Sequence, residues 1–252
     1  MTKIAAVLVG TSEERFRQHT ANPARLELAR QIAEFTSSAA DVVLLPAGFL
    51  AVETEAEVAP TAKTLAEIFG TQVLLAGIDE EDHDADRAKG QRSEKTGAPS
   101  GNADGYHYWA FASQVGRVIG GPWWQRSAYS GEAVSDPSPR CVSVQDTKIG
   151  ILICGELYNR ALADSLAEAC PDLVVDLAHI SMKRFTKSLH RVAETTGRPV
   201  FHTQHVALNS RGAAKWMATS REATSDHGVD WASHETPWTP VELWAEVKIW
   251  NV

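Results

Sequence analysis

Apolar runs alternate with amphipathic helical patterns along the first eighty residues. Three short apolar runs indicate strands, at Lys3–Val9, Asp41–Leu45 and Val73–Ile78. Between the first two, Asn22-Pro23 opens a helix in which Leu28, Ile32 and Phe35 repeat at i, i+4 and i+7. A second helix begins at Pro60 and ends at Gly70. Strands and helices in this order predict a layered α/β fold with a largely parallel sheet.

The alternation breaks at Asp79. The segment Asp79–Gly105 opens with a run of carboxylates and continues with scattered basic residues, glycines and a proline. This composition is too polar to pack in a core, so we predict an insertion within one domain. A solvated insertion and a lid over a site both remain open, and the composition favours the former.

Strand patterns resume after the insertion. Two hairpins are predicted, one from Tyr106–Phe111 with Val115–Ile119 and one from Val142–Gln145 with Lys148–Cys154. Further elements follow in order: a helix within Asn159–Cys170, a strand at Asp172–Leu177 that runs to Ala178-His179, a helix carrying Phe185, Leu189 and Val192, a strand at Val200–Ala207, and a final strand at Glu242–Ile249.

Cys154 stands where the most apolar strand ends. Ile149–Ile153 has no polar alternation, as in a strand buried on both faces, and a helical pattern follows. Backbone N–H groups at such a junction favour a thiolate, and that of Gly155 is placed to hold an oxyanion. The alternative is that Cys154 is a small buried hydrophobe that ends a strand.

Composition and charge limit the partners. The chain has 252 residues and a net charge of −8, which suits one α/β domain and argues against a nucleic-acid or anionic-membrane partner. We therefore expect a small-molecule substrate or ligand. The segment Met1–Gly10 resembles a first strand more than a signal peptide, and no run reaches membrane-spanning length, so we expect a cytoplasmic protein.

No metal site or cofactor is expected. The three cysteines, at 141, 154 and 170, are odd in number and lack a C-x-x-C pair, so neither a disulfide framework nor a zinc ribbon fits. His202 and His205 fall on opposite faces of one predicted strand and cannot easily share a metal. We interpret them as ordinary polar or core histidines.

Five tryptophans crowd the C-terminal part, at positions 216, 231, 238, 244 and 250. One interpretation is an aromatic binding surface or a tail that reaches across a dimer. The other is that edge strands and the tail cover the core, which we favour.

The assembled order resembles the nitrilase, or carbon-nitrogen hydrolase, superfamily. The resemblance runs from about Lys3 to Ala207 and is carried by four segments. These are the run from Ala39 to Pro46, the strand Lys148–Cys154, the strand Asp172–Val175 and the helical segment Arg191–Thr195. The cysteine segment is the most specific of them.

The resemblance implies a four-layer α-β-β-α sandwich that dimerises through helices beside the nucleophile. It also implies attack of a cysteine on an amide or nitrile carbon, giving a thioester that water hydrolyses. In that family a glutamate is the general base, a lysine stabilises the tetrahedral intermediate and a second glutamate helps to position the groups. Cys154 is the nucleophile by this resemblance.

The other family positions depart from the pattern. The base glutamate should follow the proline that ends the second strand, where this chain has Ala47. The lysine position falls on or near Trp124, and the only cation close by is Arg126. Glu132 lies in a segment that resembles the one carrying the second glutamate.

Two functions follow from this pattern. In the first, the chain is a divergent carbon-nitrogen hydrolase with Cys154 as nucleophile and Glu132 or Glu156 as base. Substrate and oxyanion would then be held by neighbouring residues, namely Gly155, Glu156, Trp124, Arg126 and His179. In the second, it is an inactive nitrilase-fold protein that binds a ligand or partner. A glutamine-amidotransferase-like elbow is the weakest match, because glycine is absent two residues before and after Cys154.

Overall fold

The computed structural model describes residues 2–11, 18–81, 106–180, 185–210, 225–230 and 243–252. Within these ranges four α-helices occur: α1 (Asn22–Thr36), α2 (Val58–Phe69), α3 (Arg160–Ala169) and α4 (Phe185–Thr196). The strands are β1 (Lys3–Thr11), β2 (Val42–Leu44), β3 (Leu50–Val52), β4 (Val73–Glu80), β5 (Tyr106–Gln114), β6 (Arg117–Gln125), β7 (Cys141–Val144), β8 (Thr147–Ile153), β9 (Leu173–Ile180), β10 (Val200–Ala207), β11 (Ser225–Asp230) and β12 (Trp244–Asn251).

The strands form one continuous hydrogen-bonded sheet. It folds back on itself at β1, so that its two halves face each other. Its order is β6-β5-β4-β2-β1-β10-β9-β8-β7, and β12 runs antiparallel along β1. The first half of β1 pairs with β2 and the second half with β10, both in parallel. Because β4, β9 and β8 continue these parallel pairings, their carboxyl ends lie at the same edge.

Three clusters of buried apolar residues fill the spaces between the layers. One packs α1 and α2 against the first half of the sheet, and another packs α3 and α4 against the second half. The third lies between the two halves, with Ala6, Leu44 and Leu75 on one side and Ile151 and Val175 on the other. This inter-sheet core gives the order helix, sheet, sheet, helix, which confirms the predicted four-layer α-β-β-α sandwich.

The sequence located most elements but misplaced some ends. Leu50–Val52 was not predicted as a strand, since three residues carry little periodicity. The first hairpin turns at Val115-Gly116, and its second strand runs on to Gln125 through Gly120-Gly121-Pro122. Glycine and proline interrupt a strand pattern, but an edge strand such as β6 tolerates both.

The polar segment starts later than predicted. Asp79 and Glu80 belong to β4, and Asp79 is fully buried. The sequence did not predict that β4 continues to Glu80, because the following residues are mostly acidic. Composition does not distinguish one buried carboxylate from its solvated neighbours. The rest of the predicted insertion, residues 82–105, lies outside the described residues.

The described part of the C-terminal segment covers the core. Trp244 and Trp250 of β12 are each 4% exposed, and Trp250 meets the Phe201 ring edge-on at 5.6 Å. The Trp244 indole N–H donates to the Leu208 carbonyl at 2.9 Å. The other three tryptophans, 216, 231 and 238, lie outside the described residues.

No helix in the described ranges has both the length and the apolar character needed to cross a membrane.

Candidate active site

Four candidate site positions lie at the carboxyl ends of four parallel strands. Cys154 follows β8, His179 lies near the end of β9, Asp79 lies near the end of β4, and Ala47 follows β2. Cys154 is partly exposed and packs against the inter-sheet core, to which Ala47 also belongs. Ligands of open parallel sheets usually bind at such an edge.

The backbone at Cys154 is in the left-handed region. Its φ is +47°, which is uncommon for a residue with a side chain. A 3-10 turn, Cys154–Tyr158, separates the thiol from α3, which begins only at Arg160. The predicted helix terminus therefore does not adjoin the sulfur, although the strand-to-turn junction is present.

Gly155 is required for the close approach of a neighbouring loop. A Cβ at this position would lie 2.7 Å from the Ser127 carbonyl oxygen and closer still to the Cα of Ala128. The turn that begins with Cys154 is thus held directly against the backbone after β6. A glycine next to the candidate nucleophile is needed for packing as well as for any donor role.

Replacing Gly155 by alanine should destabilise the protein and move Cys154. The new methyl group meets backbone atoms that cannot rotate away, so we expect a loss of about 1–3 kcal/mol in the free energy of unfolding. Gly131→Ala is the matched control, because nothing lies within 4 Å of a Cβ there. Urea unfolding of both variants checks this prediction; equal stability in the two would contradict it.

His179 joins Cys154 to Asp79. The His179 Nε2 lies 2.8 Å from Asp79 Oδ1, and the two side chains are 6% and 0% exposed. His179 also hydrogen-bonds the thiol of Cys154. Because Nε2 faces the carboxylate, Nδ1 is the ring nitrogen left for the sulfur. The Tyr108 ring meets the imidazole at 4.5 Å between centroids.

The charges around His179 favour its protonated form. Burial opposes the imidazolium, but the negative charges of Asp79 and Cys154 and hydrogen bonds to both outweigh it and raise the pKa of His179 to about 10. At neutral pH the imidazole therefore carries a positive charge beside the sulfur. In general, a cation beside a cysteine favours the thiolate form, which is the nucleophilic one.

Asp79 lies beside the segment that carries Ala47. A Cβ on Gly48 would be 2.5 Å from Asp79 Oδ2, and Gly77 lets the backbone of residues 47–48 pack directly on β4. A carboxylate from β4 thus reaches the neighbourhood in which the resemblance implies a glutamate. Arg25 of α1 is 1% exposed. Burial lowers its pKa to about 10, although the negative charges of Asp79 and Glu81 act to raise it.

Glu156 is bound within an ion-pair network. Its carboxylate is fully buried and accepts from the Arg140 guanidinium at 3.0 Å, from the Arg126 backbone N–H at 2.7 Å and from the Ile153 N–H at 3.1 Å. These contacts fix the turn after β8. They place Glu156 as an anchor of the turn that carries Cys154.

Arg126 and Glu132 also have partners in the same region. The Arg126 guanidinium pairs with Glu156 and donates to the carbonyls of Asp136 and Ser138 at 2.9 and 2.7 Å. The Glu132 carboxylate accepts from the Ala128 N–H at 2.7 Å, which holds the loop beside Gly155. A base role for Glu132 stays a prediction.

Trp124 projects away from the inter-sheet core. Its side chain is 44% exposed, whereas the preceding Trp123 packs against that core. The structure thus brings His179 and Gly155 to Cys154, and it directs the Trp124 side chain to the opposite face of β6.

A second buried histidine-carboxylate pair lies on the other face of β9. His202 Nδ1 is 2.7 Å from Asp176 Oδ2, and its ring stacks on Phe185 of α4 at 5.0 Å. Burial, with the charges of Asp176 and Cys154, raises the pKa of Tyr158 to about 12. Among the described residues, no group of three or more His, Cys, Asp or Glu side chains is arranged to hold a metal ion.

Sequence reasoning missed Asp79. Composition places it in the polar insertion, and it lies one hundred positions before His179 in the chain. The usable signal was its place at the end of a predicted parallel strand, the same place that Ala47, Cys154 and His179 occupy on theirs.

Comparisons with known proteins identify the fold. No protein-family model and no curated protein matches the chain. Among solved structures, an amidase from Nesterenkonia sp. superposes with a TM-score of 0.55 at 14% identity, over 81% of this chain and 76% of that one. A variant of the Nesterenkonia sp. AN1 amidase, with the product of Michael addition of acrylamide at its active-site cysteine, gives 0.57 at 15% identity over 81% and 79%.

A larger enzyme shares the same fold. Glutamine-dependent NAD+ synthetase from Acinetobacter baumannii matches with a TM-score of 0.54 at 12% identity, over 81% of this chain and 38% of that one. The AN1 amidase is described as a member of the nitrilase superfamily. Identities this low show shared architecture, and the predicted resemblance is confirmed at that level: this chain has the carbon-nitrogen hydrolase fold of the nitrilase superfamily.

Proposed function

We propose that the chain hydrolyses an amide or related acyl substrate through a thioester on Cys154. His179 donates and accepts the proton in the two half-reactions. Asp79 orients the imidazole and stabilises its positive charge. One observation carries the proposal: Cys154, His179 and Asp79 come from the ends of three separate strands and are in contact, with the His179–Asp79 pair buried, at the edge where parallel sheets usually bind ligands.

Each step of the reaction has a group to perform it. The Cys154 thiolate attacks the carbonyl carbon, and the electron pair of the C=O bond moves to oxygen. When the tetrahedral intermediate collapses, the C–N bond breaks and the leaving amine takes the proton of the His179 imidazolium. Neutral His179 then accepts a proton from water as that water attacks the thioester, and the released acid leaves Cys154 as the thiolate.

This assignment gives the proton transfer to His179 in place of Glu132 or Glu156. The Glu156 carboxylate is committed to Arg126 and Arg140, and Glu132 holds a loop backbone. His179 touches the thiol directly. The Gly155 N–H, next in the chain after the nucleophile, is the proposed oxyanion donor.

Small aliphatic amides and acrylamide test the proposal. The unmodified chain should release ammonia from at least one amide of a short series and form an acrylamide adduct on Cys154, read by peptide mass spectrometry. Cys154→Ala should abolish the hydrolysis, and Cys170→Ala is the matched control, since Cys170 is exposed at the end of α3. Hydrolysis that survives Cys154→Ala would overturn the proposal. An inert Cys154 without hydrolysis would favour the alternative of an inactive binding protein.

A further inference from the structure

An aromatic ring from the facing half of the sheet packs on the candidate proton carrier. The Tyr108 ring of β5 meets the His179 imidazole with 4.5 Å between centroids and 63° between planes. Tyr108 is half-buried, whereas His179 is buried. The steep angle is that of an edge-to-face contact between rings.

The strand register brings this ring to His179 together with the carboxylate of Asp79. Tyr108 lies directly opposite Asp79 in the antiparallel pair of β5 with β4. Opposite residues place their side chains close together on one face of a sheet. That face is the one toward the second half of the sheet, since Leu75 and Ala110, which alternate in phase with them, both belong to the inter-sheet core. Two neighbouring strands therefore contact His179 from the same side.

The surroundings of His179 make the charge of its imidazole sensitive to each contact. Burial, the largest single influence on the pKa of His179, favours the neutral imidazole, and the charges of Asp79 and Cys154 oppose it. Asp176, on the other face of β9, also interacts with the His179 charge. An imidazolium withdrawn from water loses its hydration, so the groups packed on it decide whether it stays charged.

We infer that the Tyr108 ring stabilises the protonated imidazole of His179 and so keeps Cys154 in its nucleophilic thiolate form. The inference rests on the function proposed above and adds to it a positioning residue that acts through His179. The face of an aromatic ring attracts a cation within about 6 Å of its centroid, and the attraction is stronger where water is excluded. The imidazole lies within that distance of the Tyr108 ring.

A similar arrangement elsewhere in the chain provides a control. His202 is buried and paired with Asp176, and the Phe185 ring lies against it at 5.0 Å between centroids and 32° between planes. Phe185→Leu therefore removes an aromatic ring from a buried histidine-carboxylate pair without touching His179.

Substitutions at position 108 separate the ring from its hydroxyl group. The pKa of His179 is followed by NMR titration of its imidazole, with the signal assigned from His179→Gln, and acrylamide labelling of Cys154 is measured over the same pH range. In Tyr108→Leu the titration midpoint, and the pH at which Cys154 loses its advantage over Cys170, should both fall by about one pH unit. Tyr108→Phe keeps the aromatic face, so both should stay in place.

A fluorinated ring tests the inference without a change of shape. Pentafluorophenylalanine at position 108 has nearly the size of phenylalanine, but its fluorine atoms withdraw electrons from the ring face and abolish the attraction for a cation. The His179 midpoint should fall relative to Tyr108→Phe, which keeps the inference testable if Tyr108→Leu fails to fold. Phe185→Leu should leave the His179 midpoint unchanged.

The contradicting results are distinct. An unchanged His179 midpoint in the fluorinated variant or in Tyr108→Leu would overturn the inference. A shift in Tyr108→Phe as large as that in Tyr108→Leu would also overturn it, because the hydroxyl group would then be responsible. So would a Cys154 labelling rate that falls equally at every pH, since a merely structural role predicts that. A Cys154 that reacts no faster than Cys170 in the unmodified protein would overturn the proposed function, while the NMR midpoints still decide whether the ring stabilises the His179 charge.

Discussion

Replacing His179 by glutamine is expected to slow acrylamide labelling of Cys154 at neutral pH by about 10- to 30-fold, because an ordinary thiol without a neighbouring cation is only a few per cent thiolate there. Glutamine keeps a polar side chain at the site but carries no charge. The positive charge that faces the thiol in the folded protein would be lost, and with it the stabilisation of the thiolate. Peptide mass spectrometry gives the rate at each cysteine.

His202→Gln is the matched control for this variant. His202 is also buried and paired with a carboxylate, that of Asp176, but it lies on the sheet face toward α4. Both variants should lose stability to a similar extent, whereas only His179→Gln should lose labelling. Equal labelling rates in the two would show that His179 does not activate the thiol.

The second large effect is expected from Asp79→Asn. The charge of Asp79 is the strongest influence that raises the pKa of His179, so without it burial should bring that pKa down. The imidazole would then be neutral at pH 7, and we expect labelling of Cys154 to fall by about tenfold there. The loss should shrink as the pH rises toward 10, because His179 of the unmodified protein then loses its positive charge as well. Rates measured across the neutral and alkaline range check this.

The same substitution should change the pH dependence of stability. The pKa of His179 is raised from 6.5 to about 10 in the folded protein, so its contribution is full below pH 6.5 and is lost as the pH rises through 10. The difference in free energy of unfolding between the unmodified protein and Asp79→Asn should therefore be largest just below pH 6.5 and should shrink steadily as the pH rises toward 10. A difference independent of pH would contradict the link between Asp79 and His179.

The strand and helix pattern could be predicted because each element carries its own periodic signal. Strand β10 has the predicted bounds, Val200–Ala207, and α3 falls within the predicted helix. The layered order follows from amphipathic helices that cover apolar strands. The family resemblance added the doubling of the sheet, which no local pattern encodes.

The candidate site was only half predictable. Cys154 was found from its own stretch, since an apolar strand that ends in a cysteine is a local signal. Its partnership with Asp79 and His179 depends on which strands are neighbours across the sandwich. That arrangement is set by long-range packing, so a composition rule assigned Asp79 to a solvated run.

Glutamates were favoured as bases for a similar reason. Glu156 stands two residues from Cys154 in sequence, and nearness in sequence indicates nearness in space. The structure turns its carboxylate toward Arg126 and Arg140 instead. Both arginines lie in the segment between β6 and β7, and nothing in the spacing of these residues predicts that they meet Glu156.

The most direct measurement is the pH dependence of acrylamide labelling at all three cysteines of one sample. Cys170 is exposed and serves as the reference, and burial raises the pKa of the Cys141 thiol above its ordinary value, so Cys141 should react appreciably only in the alkaline range. We expect Cys154 to react faster than both at neutral pH, and to lose this advantage as His179 loses its positive charge near pH 10. A Cys154 that reacts no faster than Cys170 at neutral pH would contradict the pairing of Cys154 with His179, and with it the proposed hydrolysis.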